Sequence, residues 1–138
     1  MIIGYTTGVF DLFHIGHINL LRNAKSLCDK LIVGVSTDDV VAYKNKKPVI
    51  PFEERIEIIR SIKFVDTAIP QFNIDKLQAY HKIKYNILFV GDDWFDNQNW
   101  QMLEKELAKN KVKIIYFPYT KNTSSTLINE TLNKLRNS

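Results

Sequence analysis

Five short apolar runs rich in β-branched residues punctuate the chain, at Ile2–Thr7, Leu31–Ser36, Thr67–Ile69, Ile87–Val90 and Val112–Phe117. Runs that stay apolar, with no alternation of polar residues, mark strands covered on both faces. Between them apolar positions recur at spacings of three and four. Ile18, Leu21, Ala24 and Cys28 form one stripe, Phe52, Ile56, Ile59 and Ile62 a second, and Leu103, Leu107 and Ala108 a shorter third. Leu127, Ile128, Leu132 and Leu135 repeat the pattern near the C-terminus. Each stripe predicts a helix with one buried face. Strands alternating with helices predict an α/β fold, a Rossmann-like, doubly wound, five-stranded parallel sheet with helices on both faces.

No repeat, low-complexity tract or linker divides the 138 residues, so residues 1–138 are expected to form a single domain. The polar stretches Lys44–Pro51 and Phe95–Asn99 suit loops. No apolar run approaches the ~20 residues that span a bilayer, which argues against membrane insertion. Met1 leads directly into a strand-like run without a basic segment ahead of it, and Cys28 has no second cysteine to pair with. A cytoplasmic protein without a disulfide framework is the expectation.

Charge adds direction. The net charge of +4 suits an anionic partner. Lys44, Lys46 and Lys47 cluster in one loop, while the other cations are scattered among acids. A single local cluster favours a phosphate-bearing metabolite over a nucleic-acid track, and no aromatic-basic face offers itself for stacking bases. No nucleic-acid partner is therefore expected.

The chemistry concentrates in Gly8-Val9-Phe10-Asp11-Leu12-Phe13-His14-Ile15-Gly16-His17, between the first strand and the first helix. Gly8 gives the chain latitude to leave the sheet. His14 and His17, three apart where a helix begins, project from one face. The first helical turn adds unpaired N–H groups and the positive end of the dipole. Two imidazoles beside that terminus make a donor-rich cradle for phosphate, and Gly16 lets a ligand approach the backbone. Gly91 ends the fourth strand as Gly8 ends the first, and ligands of open parallel sheets bind beyond such carboxyl ends. The remaining imidazole, His81, falls in a polar helix far along the chain; no metal ligands are assigned.

This segment resembles the His-x-Gly-His signature of the nucleotidyltransferase superfamily, and its flanks are similar to the cytidylyltransferase branch, most of all to bacterial glycerol-3-phosphate cytidylyltransferases. The likeness extends through Ser36-Thr37-Asp38, the Lys44–Lys47 loop, Glu53 and Arg55, Val65-Asp66 and Gly91-Asp92-Asp93-Trp94. It implies transfer of a cytidylyl group from CTP to a small phosphorylated alcohol, with release of pyrophosphate, Mg²⁺ held mainly by the triphosphate, and a homodimer. It implies catalytic roles for His14, His17, Lys44 and Lys46. Nucleotide contacts are implied for Gly8, Val9, Phe10, Asp11, Gly16, Arg55, Gly91, Asp93, Thr120, Ser124 and Ser125. Arg55 resembles the family's phosphate-binding arginine. Asp38, Lys63, Asp66 and Trp94 are implied at the acceptor site, with the dimer contact an alternative for Asp38 and Asp66. Chemistry of this kind needs no serine or cysteine nucleophile, because a phosphate oxygen is already anionic.

The sequence departs from the pattern in places. Tyr119 and Asn122 stand where the family carries arginine and glycine in its late Arg-Thr-Glu-Gly-Ile-Ser-Thr-Thr motif, with Lys121 two residues from the missing guanidinium. Lys63 replaces an arginine, Val9 a threonine, and Phe95–Asn99 lengthens the stretch after Trp94. These changes leave other polyol or sugar phosphates open as acceptors. Lys47-Pro48-Val49-Ile50-Pro51 is similar to the sugar-phosphate adenylyltransferases, a second possibility. A non-catalytic nucleotide-binding regulatory module is a third.

Overall fold

A computed structural model describes residues 1–43, 47–91 and 98–117. The elements run β1 (Ile3–Gly8), α1 (Ile15–Ser26), β2 (Lys30–Ser36), α2 (Asp38–Tyr43), α3 (Phe52–Arg60), β3 (Thr67–Gln71), α4 (Lys76–Ile83), β4 (Ile87–Gly91), α5 (Gln98–Lys109) and β5 (Lys113–Phe117). All five strands pair in parallel in the order β3-β2-β1-β4-β5. The chain winds outward from β1 to β3, then crosses back to lay β4 on the other side of β1. That reversal opens a crevice beyond the carboxyl ends of β1 and β4, where α/β sheets bind ligands.

The strands form where they do because both faces of the sheet are covered. Leu31, Val33 and Val35 point to one side with Ile87 and Phe89, against Leu21 and Ala24 of α1 and Ile56 and Ile59 of α3. Tyr5, Ile32, Leu88 and Val90 point to the other, against half-buried Leu77 and Ile83 of α4 and buried Trp100 and Leu107 of α5. Strand period two thus splits into two cores, each closed by helices. The Tyr5 and Tyr85 rings stack at 5.1 Å, and the Tyr85 hydroxyl donates to the Lys76 carbonyl at 2.9 Å. No helix among the described residues is long and apolar enough to cross a membrane.

Three expectations need adjustment. Cys28 lies in the turn beyond α1, where its thiol donates to the Ala24 carbonyl at 3.3 Å, half-buried and with burial pushing its pKa up. Ala108 is exposed; the inward stripe of α5 is Trp100, Leu103 and Leu107. Gly8 does not take a left-handed conformation. A Cβ there would come within 3.0 Å of the Phe10 ring, and the left-handed angles fall on Phe10 (φ 54°) and Leu12 (φ 49°). The Leu127–Leu135 stripe lies outside the described residues.

Candidate active site

The first turn of α1 is closed by its own histidines. His14 is the N-cap, with extended φ/ψ of −144° and −178°, and its Nδ1 accepts the Gly16 N–H at 3.0 Å. Three residues on, the Nδ1 of His17 accepts the His14 N–H at 3.2 Å. This is the reciprocal capping box, built from two imidazoles in place of the usual serine and glutamate. The rings stack with centroids 4.0 Å apart, and His17 is flanked by Phe13 at 5.2 Å and Phe10 at 5.5 Å.

The cap fixes the protonation. An Nδ1 that accepts a backbone N–H carries no hydrogen, so each neutral ring bears its proton on Nε2. Burial pushes both pKa values down; for His17 burial, with the neighbouring His14 adding and Asp11 opposing, brings it to about 4. At neutral pH the pair therefore offers two neutral Nε2–H donors side by side. They stand at the positive end of a 12-residue helix, at the mouth of the switch-point crevice.

The loop that delivers them is tied across the carboxyl edge of the sheet. The Asp11 carboxylate accepts N–H groups from Val49 at 2.8 Å, Ile50 at 2.9 Å and Leu12 at 3.1 Å. It joins the histidine loop to the segment that follows the lysine cluster. Phe10 is buried against the α1 and α3 core, which holds the residues at positive φ on either side of Asp11. Non-glycine residues reach this region at a cost of order 1–3 kcal/mol each, so two within three positions mark a loop fixed by its surroundings.

Arg55 is the tie beneath it, and here the structure departs from the expected phosphate contact. Its side chain has no exposed surface. Nε donates to Ile50 O at 2.8 Å, Nη1 to both Val9 O and Ser36 O at 2.7 Å, and Nη2 to an Asp38 carboxylate oxygen at 2.6 Å. One guanidinium thus fixes the exits of β1 and β2 and the segment ahead of α3. Its direction is inward, toward protein acceptors. Asp38, half-exposed, opens α2 and also accepts from the Phe52 N–H at 3.4 Å. With Lys47 and Val49 it lines an open cleft of about 500 Å³.

Two of the residues expected at the acceptor site, Asp66 and Lys63, lie at the opposite end of the sheet within this chain. Asp66 immediately precedes β3, and its carboxylate accepts the Leu31 N–H at 2.7 Å and pairs with Lys25 at 2.5 Å, at the amino end of β2. Lys63 is exposed in the same α3–β3 connection, with its ammonium 5.2 Å from the Phe64 ring centroid. Both belong to the amino ends of the strands, opposite the histidines. Gly8 and Gly91 end the adjacent strands β1 and β4, and Gly16 is in the first turn of α1. Lys44, Lys46, Asp93, Trp94, Thr120, Ser124 and Ser125 lie outside the described residues. Sequence reasoning missed the Val49 and Ile50 N–H groups as partners of Asp11; backbone groups carry no side-chain signal, although the proline-flanked Pro48–Pro51 hinted at a fixed turn.

A strand-to-helix loop presenting paired imidazoles at a switch point narrows the possibilities, and the family profile described as Cytidylyltransferase-like matches residues 5–131. This chain belongs to the cytidylyltransferase-like family. The glycerol-3-phosphate cytidylyltransferase of Bacillus subtilis strain 168 is 36% identical over 126 residues, covering 91% of this chain and 92% of that one. An FAD synthase of Methanosarcina mazei is 37% identical over 135 residues, covering 93% and 87%. Among solved structures, a lipopolysaccharide core biosynthesis protein from Thermoplasma volcanium superposes with a TM-score of 0.74 at 29% identity, over 89% of this chain and 99% of that one. The cytidylyltransferase-like fold and nucleotidyltransferase class follow from these likenesses.

Proposed function

We propose that this protein transfers a cytidylyl group from CTP to a small phosphorylated alcohol, with glycerol 3-phosphate the first choice. The observation that carries this reading is the His14–His17 pair, whose two Nε2–H donors share one face at the N-terminus of α1. The acceptor's phosphate oxygen attacks the α-phosphorus of CTP, a new P–O bond forms, and the bond to the β-phosphate oxygen breaks. Pyrophosphate leaves with that electron pair, and no proton has to be removed from the nucleophile. Catalysis then consists of alignment and of neutralising charge that grows on the phosphoryl oxygens in flight.

The two imidazoles supply neutral hydrogen bonds to that charge. By the family resemblance, Lys44 and Lys46 are assigned the cationic contacts, and Asp93, Thr120, Ser124 and Ser125 those to ribose and phosphates. The substrate class rests on the glycerol-3-phosphate cytidylyltransferase of Bacillus subtilis, which matches nine-tenths of this chain. Mg²⁺ belongs to this proposal through the triphosphate oxygens, as the resemblance implies.

A second reading has its own support. The FAD synthase of Methanosarcina mazei is as similar as the cytidylyltransferase, and its product name contains adenine. Pyrophosphate release measured with CTP and with ATP, each against glycerol, ribitol, erythritol, choline and ethanolamine phosphates, separates the two. Turnover with CTP and glycerol 3-phosphate is expected. Faster turnover with ATP selects adenylyl transfer, and no release with any pair overturns the proposal.

A further inference from the structure

On the α4 face of the sheet, beside β3, two buried polar side chains each keep one polar group without a hydrogen-bond partner among the described residues. Tyr5 is 2% exposed, and its hydroxyl finds no hydrogen-bond partner among the described residues. The hydroxyl lies over Gly34, so close that a Cβ there would meet it at 2.6 Å. Gln71, 9% exposed, accepts from the Ser36 hydroxyl at 2.9 Å through Oε1, and its amide nitrogen has no partner among the described residues. Turning the amide over would only exchange which of its ends is left. Native interiors rarely leave such groups unpaired, and each costs free energy while it stays so.

Both residues line one cavity of about 120 Å³, with Ile69 and Ala79 as apolar walls and Asp75 and Lys82 among its charged lining. Since a water takes ~30 Å³, the space is that of about four waters, or of a three-carbon polyol, and is too small for a nucleoside. The two unpaired groups are neutral, because burial pushes the Tyr5 phenol up to about 12 and an amide does not titrate. They suit hydroxyl groups better than a phosphate. The cavity is also coupled to the histidine loop. Ser36, which holds Gln71, gives its carbonyl to the same Arg55 Nη1 that holds Val9 O, each at 2.7 Å.

We infer that Tyr5 and Gln71 form the hydroxyl-recognising wall of the acceptor subsite, taking the polyol end of the phosphorylated alcohol while its phosphate points to the histidines. This rests on the phosphoalcohol reading above and adds the residues that choose among such alcohols. A site built to bond a hydroxyl rejects an analogue that lacks it, because the buried partners are then left unsatisfied.

The test compares the wild type with Tyr5→Phe, which removes one oxygen, and with Gln71→Met, which keeps length and removes the amide. Initial rates are measured with the best acceptor of the panel and with its analogue lacking one hydroxyl, and melting temperature is recorded for each protein. We expect each variant to raise the acceptor KM roughly 10-fold, to leave the KM for CTP within twofold, and to narrow the preference for the hydroxylated acceptor. If Gln71→Met lowers the melting temperature, Tyr5→Phe carries the comparison. Unchanged acceptor KM and unchanged preference in both variants mean the cavity holds ordered water only, and overturn the inference while leaving the proposed reaction standing. A wild type that turns over no acceptor overturns the reaction itself, and this inference with it.

Discussion

His14 and His17 cap the same helix turn reciprocally, each through Nδ1, which leaves the Nε2–H of each neutral ring as its one polar group outside the cap. Structural and chemical duties are thus divided between the two nitrogens of each ring. The division can be tested nitrogen by nitrogen. Asparagine places an acceptor near Nδ1 but nothing at Nε2, so His14→Asn is expected to keep the cap while lowering kcat ~10²–10³-fold. His14→Ala should lose the same activity and about 1 kcal/mol of stability besides. Rates together with urea melts distinguish the two, and equal activity in His14→Asn and wild type would refute the division.

Acid should act on the cap. The pKa of His17 in the folded protein is pushed down to about 4 from 6.5 by burial, and that of His14 is lowered too. Between those values the unfolded chain binds more protons than the folded one, so stability rises with pH there. Stability is therefore expected to fall as pH drops from about 6.5 towards 4, by up to ~1.4 kcal/mol per pH unit for His17 alone. Urea unfolding followed across that range measures the slope, and His17→Asn should flatten it.

Arg55 makes four contacts with protein acceptors and none with solvent. Arg55→Met keeps much of the volume but strands three carbonyls and a carboxylate. A loss of about 3–5 kcal/mol is expected, seen as a lower melting temperature and chemical midpoint. Asp38→Asn, whose side chain is half in water, should cost about 1 kcal/mol or less. Similar small losses in both would contradict the role of the guanidinium as the tie between β1, β2 and the segment before α3.

Asp66 offers the opposite control. Its carboxylate holds Lys25 and the Leu31 N–H at the amino end of the sheet, away from the crevice. Asp66→Ala should lower the melting temperature by a few degrees, from a loss of about 1–2 kcal/mol, and leave the KM values of both substrates unchanged. A selective rise in the acceptor KM would return Asp66 to the acceptor site, by way of another copy of the chain.

Asp11 should show the converse. Removing its acceptors in Asp11→Ala releases the Val49 and Ile50 N–H groups and loosens the lysine-bearing segment from the histidine loop. We expect a fall in kcat/KM of ~10-fold or more with a stability loss of about 1–3 kcal/mol. Stability loss without a kinetic effect would make the tie purely structural.

Much of this was legible in the sequence because the strands are covered on both faces. Leu31 to Val35 or Ile87 to Val90 had to stay free of polar side chains whichever way each one points. α2 was not foreseen, since Asp38–Tyr43 is short and its buried Val40 and Val41 are adjacent, giving no spacing of three or four. The histidine pair was legible from its spacing, but not which nitrogen would be taken up by the cap, because that depends on backbone N–H groups. Arg55 is expected at a phosphate by resemblance, yet its acceptors are three carbonyls from separate segments and the Asp38 carboxylate, which no linear pattern joins. Lys63 and Asp66 were assigned to the acceptor site because they lie in a recognisable stretch. The return connection from α3 to β3 carries them to the far end. Gln71 was missed entirely, since a single amide at the end of an edge strand leaves no periodic signal.

Two neutral imidazoles that present Nε2–H donors to a triphosphate leave a signature that can be read nitrogen by nitrogen. Long-range ¹H–¹⁵N correlation spectra of the histidine side chains at neutral pH, recorded while CTP is added, read both nitrogens of each ring. Hydrogen is expected on Nε2 and none on Nδ1 for His14 and His17, with the Nε2 signals of both shifting as the nucleotide saturates. Hydrogen on Nδ1 in either ring, or CTP binding that leaves both Nε2 signals in place, would contradict it.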